Sequence, residues 1–228
     1  MSLGARLQAV ADFVPTGVKM ADIGTDHAYL PIALLEAGRI AAAIACDVNE
    51  GPYQVARGTI AAAGRSHEIT LRLGNGLLPL QAGEVDVVTI AGMGGSLMRQ
   101  ILEQSPAVVS RLQGLILQPM NAVPQLRCWL YENGWHLEAE ALAEEDGRLY
   151  EILYAVPGKQ SVPDELLLAI GPLLWQNKHP LLNLHVKNLL QQERRMLEGM
   201  ENSERARHSE KYQRTRQRIG ELEGKLLW

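Results

Sequence analysis

The stretch that decides the fold is MADIGTDHAYLP, residues 20–31, which continues an apolar run that begins at Val18. The run to Ile23, interrupted by Asp22, predicts a buried strand, and the segment after the turn predicts a helix. Gly24 lets the backbone turn sharply and lets a ligand come close to it. The amides at the start of the helix then point at whatever lies over the turn. Strand, tight turn and helix in this order are typical of nucleotide-type cofactor sites at the carboxyl edge of a parallel sheet.

The residues of this turn bear on which cofactor it would bind. A dinucleotide fold would place further glycines in a Gly-x-Gly-x-x-Gly pattern, whereas this chain has Asp26 and Ala28. A pyrophosphate is doubly negative, and the Asp26 carboxylate would repel it. S-adenosylmethionine has a sulfonium cation, a zwitterionic methionine end and no phosphate, so the acidic turn favours it over NAD. On the turn alone, an ordinary strand–helix connection of an α/β enzyme is the alternative.

The composition is that of an ordinary globular protein. Its 228 residues, 46% hydrophobic and 21% charged, fit one α/β domain plus a smaller unit. The two cysteines, Cys46 and Cys128, form no Cys-x-x-Cys pair, and the six histidines are scattered, so we expect neither a disulfide framework nor a metal site. No apolar run approaches the roughly 18 residues of a membrane span, and Asp12 and Pro15 interrupt any signal core. We expect a cytoplasmic protein independent of membranes and metals.

The period of the hydrophobic pattern divides the chain in two. Strands that alternate with helices predict a mostly parallel sheet with covered faces and an antiparallel pair at its edge. The predicted strands cover residues 18–23, 42–46, 69–73, 85–91, 115–118, 135–143 and 149–156. After a linker at 157–163 the spacing becomes helical and predicts two long antiparallel helices, a coiled-coil-like hairpin with its turn at 202–203. We therefore expect domains 1–158 and 159–228.

Four of the predicted strand ends carry residues that one cofactor could use, because ligands of open α/β sheets bind at the carboxyl ends of the strands. Asp22 and Gly24 would lie under the methionine portion, Asp47 would bind the ribose hydroxyls, and Asn75 would accept from the adenine amino group. Small residues at 91–95 would leave room for the acceptor. The expected cofactor-binding residues are Asp22, Ile23, Gly24, His27, Asp47, Val48, Asn75, Gly76, Ala91 and Gly92.

Each of these residues also has a structural explanation. Asp47 could simply cap the next helix, and Gly74-Asn75-Gly76 could be a plain turn, since Asn-Gly is a common turn dipeptide. The small residues at 91–95 could serve close helix–strand packing. The agreement of all four positions with one sheet edge favours the functional explanation.

At these positions the chain resembles the bacterial tRNA (adenine-22-N1)-methyltransferases, the TrmK family. The resemblance is carried by residues 21–31, Gly51-Pro52, residues 91–95, residues 117–119 and the segment EDGRLYE at 145–151. It covers about residues 4–156 closely and the helical tail in kind. It implies a class I methyltransferase fold, S-adenosylmethionine as the methyl donor, and N1 of a tRNA adenine as the acceptor.

The same resemblance suggests catalytic roles for two residues. N-methylation makes the adenine ring cationic, so a nearby carboxylate would stabilise the developing charge and could later take an amino proton. Asp26 is the expected carboxylate, and Met93 the expected floor under the base. The Asn/Asp-Pro-Pro-aromatic motif of exocyclic-amine methyltransferases is absent, which fits a ring nitrogen as the target.

A tRNA substrate needs a basic surface, and the charge distribution places one in the tail. Residues 1–158 carry a net charge of −7 and residues 159–228 one of +3. The expected RNA-binding residues are Arg205, Arg207, Lys211, Arg214, Arg216 and Arg218. A solvated face of the coiled coil is the plainer alternative.

Two further functions stay open on the sequence: a methyltransferase that acts on another RNA or a small molecule, and a non-catalytic tRNA-binding module. We expect a monomer.

Overall fold

The computed structural model describes residues 2–227, and the chain divides into two compact units, Met1–Val162 and Pro163–Trp228. The sequence predicted the division a few residues earlier, after residue 158. The last strand before it ends at Pro157, and the next helix begins at Glu165. The intervening residues form neither helix nor strand, so the linker itself lies where its composition predicted.

The first unit alternates strands and helices. Its elements are α1 (Ala5–Phe13), β1 (Met20–Ile23), α2 (Tyr29–Glu36), β2 (Ala43–Asp47), α3 (Glu50–Ala62), β3 (Ile69–Leu73), β4 (Val87–Met93), α4 (Gly95–Glu103), α5 (Pro106–Val109), β5 (Gly114–Pro119), α6 (Val123–Glu132), β6 (Trp135–Glu145) and β7 (Arg148–Pro157). The short helix α5 was not predicted. Every residue of β1 and β2 is buried, as expected for strands of a parallel sheet that is covered on both faces.

The seven strands form one sheet in the order β3-β2-β1-β4-β5-β7-β6. The pairs from β3 to β5 are parallel, and β7 is antiparallel to both β5 and β6, which confirms the predicted Rossmann-like sheet. The chain builds one half outward from β1 to β3 and then returns to place β4 on the other side of β1. The carboxyl ends of β1 and β4 therefore border a topological switch point, where open α/β sheets bind ligands.

Strand β4 begins and ends later than predicted. The sequence predicted residues 85–91, whereas the strand continues to Met93 and contains a β-bulge between Ala91 and Met93. Gly92 at the bulge has a φ of 78°, a conformation that other residues rarely adopt. The strand was predicted to end before Gly92. In the structure this glycine lies in a bulge, which redirects the chain beside the switch point.

The second unit is helical. It contains α7 (Glu165–Ile170), α8 (Pro172–Gln176), α9 (Leu182–Glu201), α10 (Glu204–Arg207) and α11 (Glu210–Lys225). The first two helices were not predicted. Residues 202–203 lie between helices, where the turn was predicted, and the unpredicted short helix α10 follows them before α11 begins.

Helices α9 and α11 pack against each other as an antiparallel pair. Arg194 pairs with Glu223 at one end, and Met196 contacts Thr215 further along. Thr215 is a polar residue on the side of α11 that faces α9, and it is buried. Its hydroxyl lies 4.0 Å from the Met196 sulfur, so the stripe continues through it.

The composition argued against a membrane span and a metal site. No helix within residues 2–227 combines the length and the apolar character that crossing a membrane requires. Across the same residues, no group of three or more His, Cys, Asp or Glu side chains is arranged to hold a metal ion.

Candidate active site

A cavity of about 750 Å³ lies in the first unit at the carboxyl ends of β1 to β4. This volume is within the range of small-molecule sites. Each residue that was predicted from the sequence to be catalytic or cofactor-binding lines it: Asp22, Ile23, Gly24, Asp26, His27, Asp47, Val48, Asn75, Gly76, Ala91, Gly92 and Met93. The fold therefore brings the predicted strand ends together around one space.

The turn after β1 is held against the end of β2. The amides of Gly24 and Thr25 both donate to the carbonyl oxygen of Cys46, at 2.9 and 3.0 Å. Gly24, Asp26 and Ala28 all have positive φ values, of 72°, 50° and 57°. Three left-handed residues within five make a compact turn, and side chains other than glycine adopt this conformation only at a cost.

Asp22 fixes this turn from below. It is 5% exposed, and its two carboxylate oxygens each accept a hydrogen bond of 2.7 Å, one from the Thr25 hydroxyl and one from the Thr89 hydroxyl. Burial raises the pKa of Asp22, although the two hydroxyl hydrogen bonds oppose the shift and the negative charge of Asp47 adds to it. Asp22 thus joins β1, the turn and β4, and it adds negative potential to the cavity floor when ionised.

Asp47 lies at the end of β2 and is 6% exposed. Its carboxylate accepts from the amide of Asp26 at 3.2 Å and from the amide of Asn49 at 3.0 Å. Asn49 is the N-cap residue of α3, and no side chain caps this helix. The alternative that Asp47 simply caps α3 is therefore wrong, because its carboxylate bonds to the amide of Asn49 and to no amide within the helix. A carboxylate has about four lone-pair positions, and two amides leave acceptor capacity for a ligand hydroxyl.

Asn75 lies in a loop that several hydrogen bonds hold in place. A guanidinium fork from Arg72 donates to Glu84 at 2.8 and 2.5 Å and to the carbonyl of Pro79 at 2.8 Å. This pairing lowers the pKa of Glu84 to about 2, chiefly through the hydrogen bonds from Arg72. The amide of Gly74 donates to the carbonyl of Asp47 at 2.8 Å. The Gly-Asn-Gly segment is therefore a turn, as the plainer alternative held, and it is also tied to the cavity wall.

The small residues at 91–95 divide into two groups. A side chain at Gly95 would lie 2.8 Å from the carbonyl oxygens of Asn121 and Ala122, so this glycine serves close packing. Gly92, by contrast, lines the cavity, and its amide donates at 3.1 Å to Oε1 of Gln118. The packing explanation therefore applies to Gly95, whereas a place for the acceptor beside Gly92 stays a prediction.

The side chain of Met93 lies across the backbone of Gly24. A Cβ placed on Gly24 would collide with the Met93 methyl group, so the glycine leaves room for this side chain as well as for the turn. The Met93 thioether thereby connects the end of β4 to the turn after β1.

The structure adds residues that the sequence did not identify. Arg6 of α1 and Tyr29 of α2 both line the cavity, and the Tyr29 ring stacks on His27 with centroids 5.0 Å apart. Gln118 is fully buried and was noticed only as part of the segment at 117–119. Arg6 is far from the strand ends in sequence, so no local pattern could place it there.

Charge and reactivity limit the chemistry of the cavity. Among the described residues, Asp22, Asp26 and Asp47 line the cavity together with one guanidinium, that of Arg6, and this excess of negative charge suits a ligand with a cationic centre better than a pyrophosphate. The thiol of Cys46, beside the turn, is buried, and burial raises its pKa to about 12. It is therefore no nucleophile at neutral pH. The donor set fits S-adenosylmethionine: a carboxylate at the end of β2, glycine backbone after β1, and acids near the expected sulfonium.

The second unit carries the predicted RNA-binding residues on more than one face. With 3.6 residues per turn, Lys211, Arg214 and Arg218 lie on one side of α11, and Arg216 lies on the opposite side. Arg205 and Arg207 belong to the separate helix α10. The six residues therefore do not form a single basic flank on one helix, because a second helix and the helical period distribute them.

Two of these residues are paired within the unit. Arg214 pairs with Glu210 at 2.8 Å, and Arg218 pairs with Glu165 at 2.7 Å and lies 3.9 Å from Glu193. The side chain of Arg218 is half-buried, while those of Arg205, Arg207, Lys211 and Arg216 are exposed.

Comparison with known proteins agrees with this geometry. Residues 3–153 match the family described as "Methyltransferase domain". The tRNA (adenine(22)-N(1))-methyltransferase of Bacillus subtilis is 39% identical over 184 residues, which are 78% of this chain and 77% of that protein.

Solved structures resemble the whole chain. The crystal structure of the B. subtilis m1A22 tRNA methyltransferase TrmK superposes with a TM-score of 0.89 at 33% identity and covers 99% of each chain. A Streptococcus pneumoniae protein solved in complex with S-adenosyl-L-methionine has a TM-score of 0.87 at 36% identity, with 99% of this chain and 100% of that chain covered.

Proposed function

Because the chain belongs to the TrmK family of tRNA (adenine(22)-N1)-methyltransferases, we infer that it transfers a methyl group from S-adenosylmethionine to N1 of an adenine in tRNA. The observation that carries this inference is the single cavity at which the ends of β1 to β4 place Asp22, Gly24, Asp47 and the Gly92 bulge. The position named in the relatives, nucleotide 22, is the one we propose here.

The cofactor would occupy the half of the cavity formed by β1, β2 and β3. When bound, S-adenosylmethionine supplies an electrophilic methyl group on a sulfonium cation. Gly24 would let the methionine portion approach the backbone, Asp47 would accept from the ribose hydroxyls, and Asn75 would accept from the adenine amino group. Val48 is exposed within the cavity at 56%, and a buried ligand face would cover it.

The acceptor adenine would occupy the half next to β4. Neutral N1 has an in-plane lone pair, so the chain needs no general base before attack, and its main task is to hold the ring in line with the methyl group. Met93, which crosses Gly24, would support the base. N1 is on the pairing edge, so a paired adenine must leave its stack first.

Asp26 is the proposed stabiliser of the cationic product ring. Its backbone amide is bonded to Asp47, whereas its side chain is 68% exposed at the cavity, with one oxygen 3.8 Å from Nε2 of His27. The side chain is therefore free of a structural task in the turn, and a negative charge there would favour the transition state over the neutral substrate.

We propose that the tRNA is held in part by the exposed cations of α10 and α11. Phosphate contacts from Arg and Lys supply most of the sequence-independent affinity for RNA. Arg218 is the least suited of the predicted set, because it already pairs with Glu165 and contacts Glu193. A cytoplasmic monomer that acts on tRNA remains our proposal for the protein in the cell.

The reaction is tested by transfer of labelled methyl groups to a tRNA transcript, followed by nucleoside analysis. We expect label in N1-methyladenosine with a transcript that has adenine at position 22, and none with a transcript that has guanine there. Label in both transcripts would assign another position. No label, with S-adenosylmethionine still bound, would support the non-catalytic tRNA-binding module.

The role of Asp26 is tested by Asp26→Asn, with Asp146→Asn as the matched control. Asp146 is also an exposed aspartate in the left-handed region, at φ 51°, but it lies in the β6–β7 turn. We expect kcat to fall about tenfold or more in D26N, since a charge is lost next to the developing cation, with unchanged affinity for S-adenosylhomocysteine. Full turnover in D26N would show that this assignment is wrong.

A further inference from the structure

Arg6 is the cation of an otherwise acidic cavity. It lies in the first turn of α1, and among the described residues that line the cavity it is the single Lys or Arg side chain. Its guanidinium reaches the carboxyl ends of β4 and β5, where a side chain at Gly92 would lie 3.8 Å from Nη1. Within residues 2–227, no carboxylate forms an ion pair with this guanidinium.

A buried amide holds the guanidinium in place. Nη1 of Arg6 donates at 2.7 Å to Oε1 of Gln118, which also accepts from the Gly92 amide at 3.1 Å. The amide nitrogen of Gln118 donates to the carbonyl of Pro119 at 3.1 Å. Because Gln118 is fully buried and bonded at both ends, it cannot turn away without leaving polar atoms unsatisfied. It is a positioning residue for Arg6.

The β6–β7 hairpin supports the same side chain from another direction. The backbone amide of Arg6 donates at 3.0 Å to Glu145, which anchors the first turn of α1. The Tyr150 ring lies under the guanidinium, 5.7 Å from its carbon to the ring centroid, within cation–π range. Both residues belong to the segment at 145–151, which the proposed reaction had left without a task.

Among residues 2–227, these contacts leave part of the guanidinium without a hydrogen-bond partner. Arginine has five N–H donors in a planar fork that matches carboxylate and phosphate geometry, and the contacts above use one of them. A fixed, partly desolvated cation among carboxylates is a recognition group for an anionic oxygen.

We propose that Arg6 binds an oxyanion of a ligand in the cavity, an inference that rests on the proposed function. The reaction offers two such groups: the methionine carboxylate of S-adenosylmethionine and a phosphate next to the target adenine. Gln118, Glu145 and Tyr150 hold Arg6 in position for this contact.

The test compares the wild-type chain with Arg6→Gln in two binding measurements. The first is the ratio of Kd values for decarboxylated S-adenosylmethionine and S-adenosylmethionine, by calorimetry. The second is the slope of log K against log salt for a tRNA transcript. Arg111→Gln is the matched control, because Arg111 is exposed and precedes β5 at the opposite edge of the sheet.

If Arg6 binds the methionine carboxylate, the wild type prefers S-adenosylmethionine about tenfold or more, and R6Q loses that preference. If Arg6 binds a phosphate, the salt slope falls by about 0.7 to 0.9 in R6Q, and the preference is unchanged. R111Q should match the wild type in the preference.

R6Q that matches R111Q in both measurements would overturn the proposal. Should R6Q fail to fold, Arg6→Met keeps the apolar stem over Tyr150 and is measured in the same way. A wild-type chain that binds neither S-adenosylmethionine nor tRNA would instead contradict the proposed function, so the two failures can be told apart.

Discussion

The cavity of the first unit and the basic helices of the second unit use charge in different ways. Asp22 and Asp47 are almost fully buried, and each carboxylate is held by two hydrogen bonds. Arg205, Arg207, Lys211 and Arg216 are exposed on helix surfaces. Small-ligand recognition requires atoms at set positions, whereas a polyanion responds mainly to the number of nearby cations. We therefore expect ligand binding in the cavity to be sensitive to the loss of single atoms, and RNA binding by the basic helices to be sensitive to salt concentration.

The largest expected effect concerns tRNA binding by the basic helices of the second unit. Replacing Arg205, Arg207, Lys211 and Arg216 together by glutamine should reduce the salt slope of tRNA binding by about 3, if each residue contacts one phosphate. S-adenosylmethionine affinity should be unchanged. The slope is measured by fluorescence anisotropy with labelled tRNA, at salt concentrations from about 50 to about 200 mM. An unchanged slope would mean that these cations are only a solvated helix face.

The next largest effect concerns the cavity of the first unit, where the replacement of one oxygen atom should weaken cofactor binding. Asp47→Asn should weaken S-adenosylhomocysteine binding about 10- to 100-fold, because hydrogen bonds to a charged acceptor are lost. Asp12→Asn is the matched control, since Asp12 is exposed on α1 and its carboxylate accepts a hydrogen bond from the Gln8 side chain outside the cavity. The measurement is titration calorimetry. Equal affinity in D47N and wild type would remove Asp47 from the ribose site.

The turn after β1 sharpens the comparison, because two separate structural features favour glycine at position 24. Gly24→Ala should reduce the free energy of unfolding by about 2 kcal/mol, mainly from the positive φ and to a smaller extent from displacing the flexible end of the Met93 side chain. Gly38→Ala is the control: it has a φ of 66° with nothing within 4 Å of the added Cβ. It should cost about 1 kcal/mol from backbone strain alone.

Urea unfolding measures both glycine variants. If the cost of G24A exceeds that of G38A, the excess should disappear in the Met93→Ala background. An excess that persists without the Met93 side chain would exclude the collision as its cause.

The smallest expected effect concerns the loop that presents Asn75. The pKa of Glu84 is lowered to about 2 by its pairing with Arg72. The folded carboxyl therefore stays charged at a pH where the unfolded one, with a pKa of about 4.3, takes up a proton. The pairing contributes stability above about pH 4.3, and the contribution is lost as the pH falls towards 2.

Glu84→Gln should accordingly destabilise the fold by about 1 kcal/mol at neutral pH, and the difference from wild type should shrink on acidification. The check is urea unfolding at several pH values. The more exposed Arg65–Glu68 pair supplies the control variant Glu68→Gln, for which a smaller effect is expected. A difference for E84Q that stays constant down to pH 2 would contradict the linkage.

Much of this architecture was predictable because local chemistry specifies it. The apolar runs at 42–46, 69–73 and 115–118 predicted three strands within a residue or two of their bounds. The polar or glycine residues that follow the strands predicted which side chains would line the cavity, since parallel strands end at one edge. The end of β4 was predicted two residues too early, and the reason is also local. Gly92 has a bulge conformation, and sequence alone does not distinguish a glycine in a bulge from a glycine at the end of a strand.

The sequence by itself determined the fold class, the acidic turn after β1 and the family resemblance, because these depend on residue types and short spacings. Tertiary structure alone decided that α1 brings Arg6 to the cavity, that Gln118 is buried beneath Gly92, and that the basic residues lie on two helices. The position of Arg6 depends on contacts between residues more than a hundred positions apart, with Gln118 and Glu145. No pattern along the chain records such pairs, since packing chooses them only when the elements assemble.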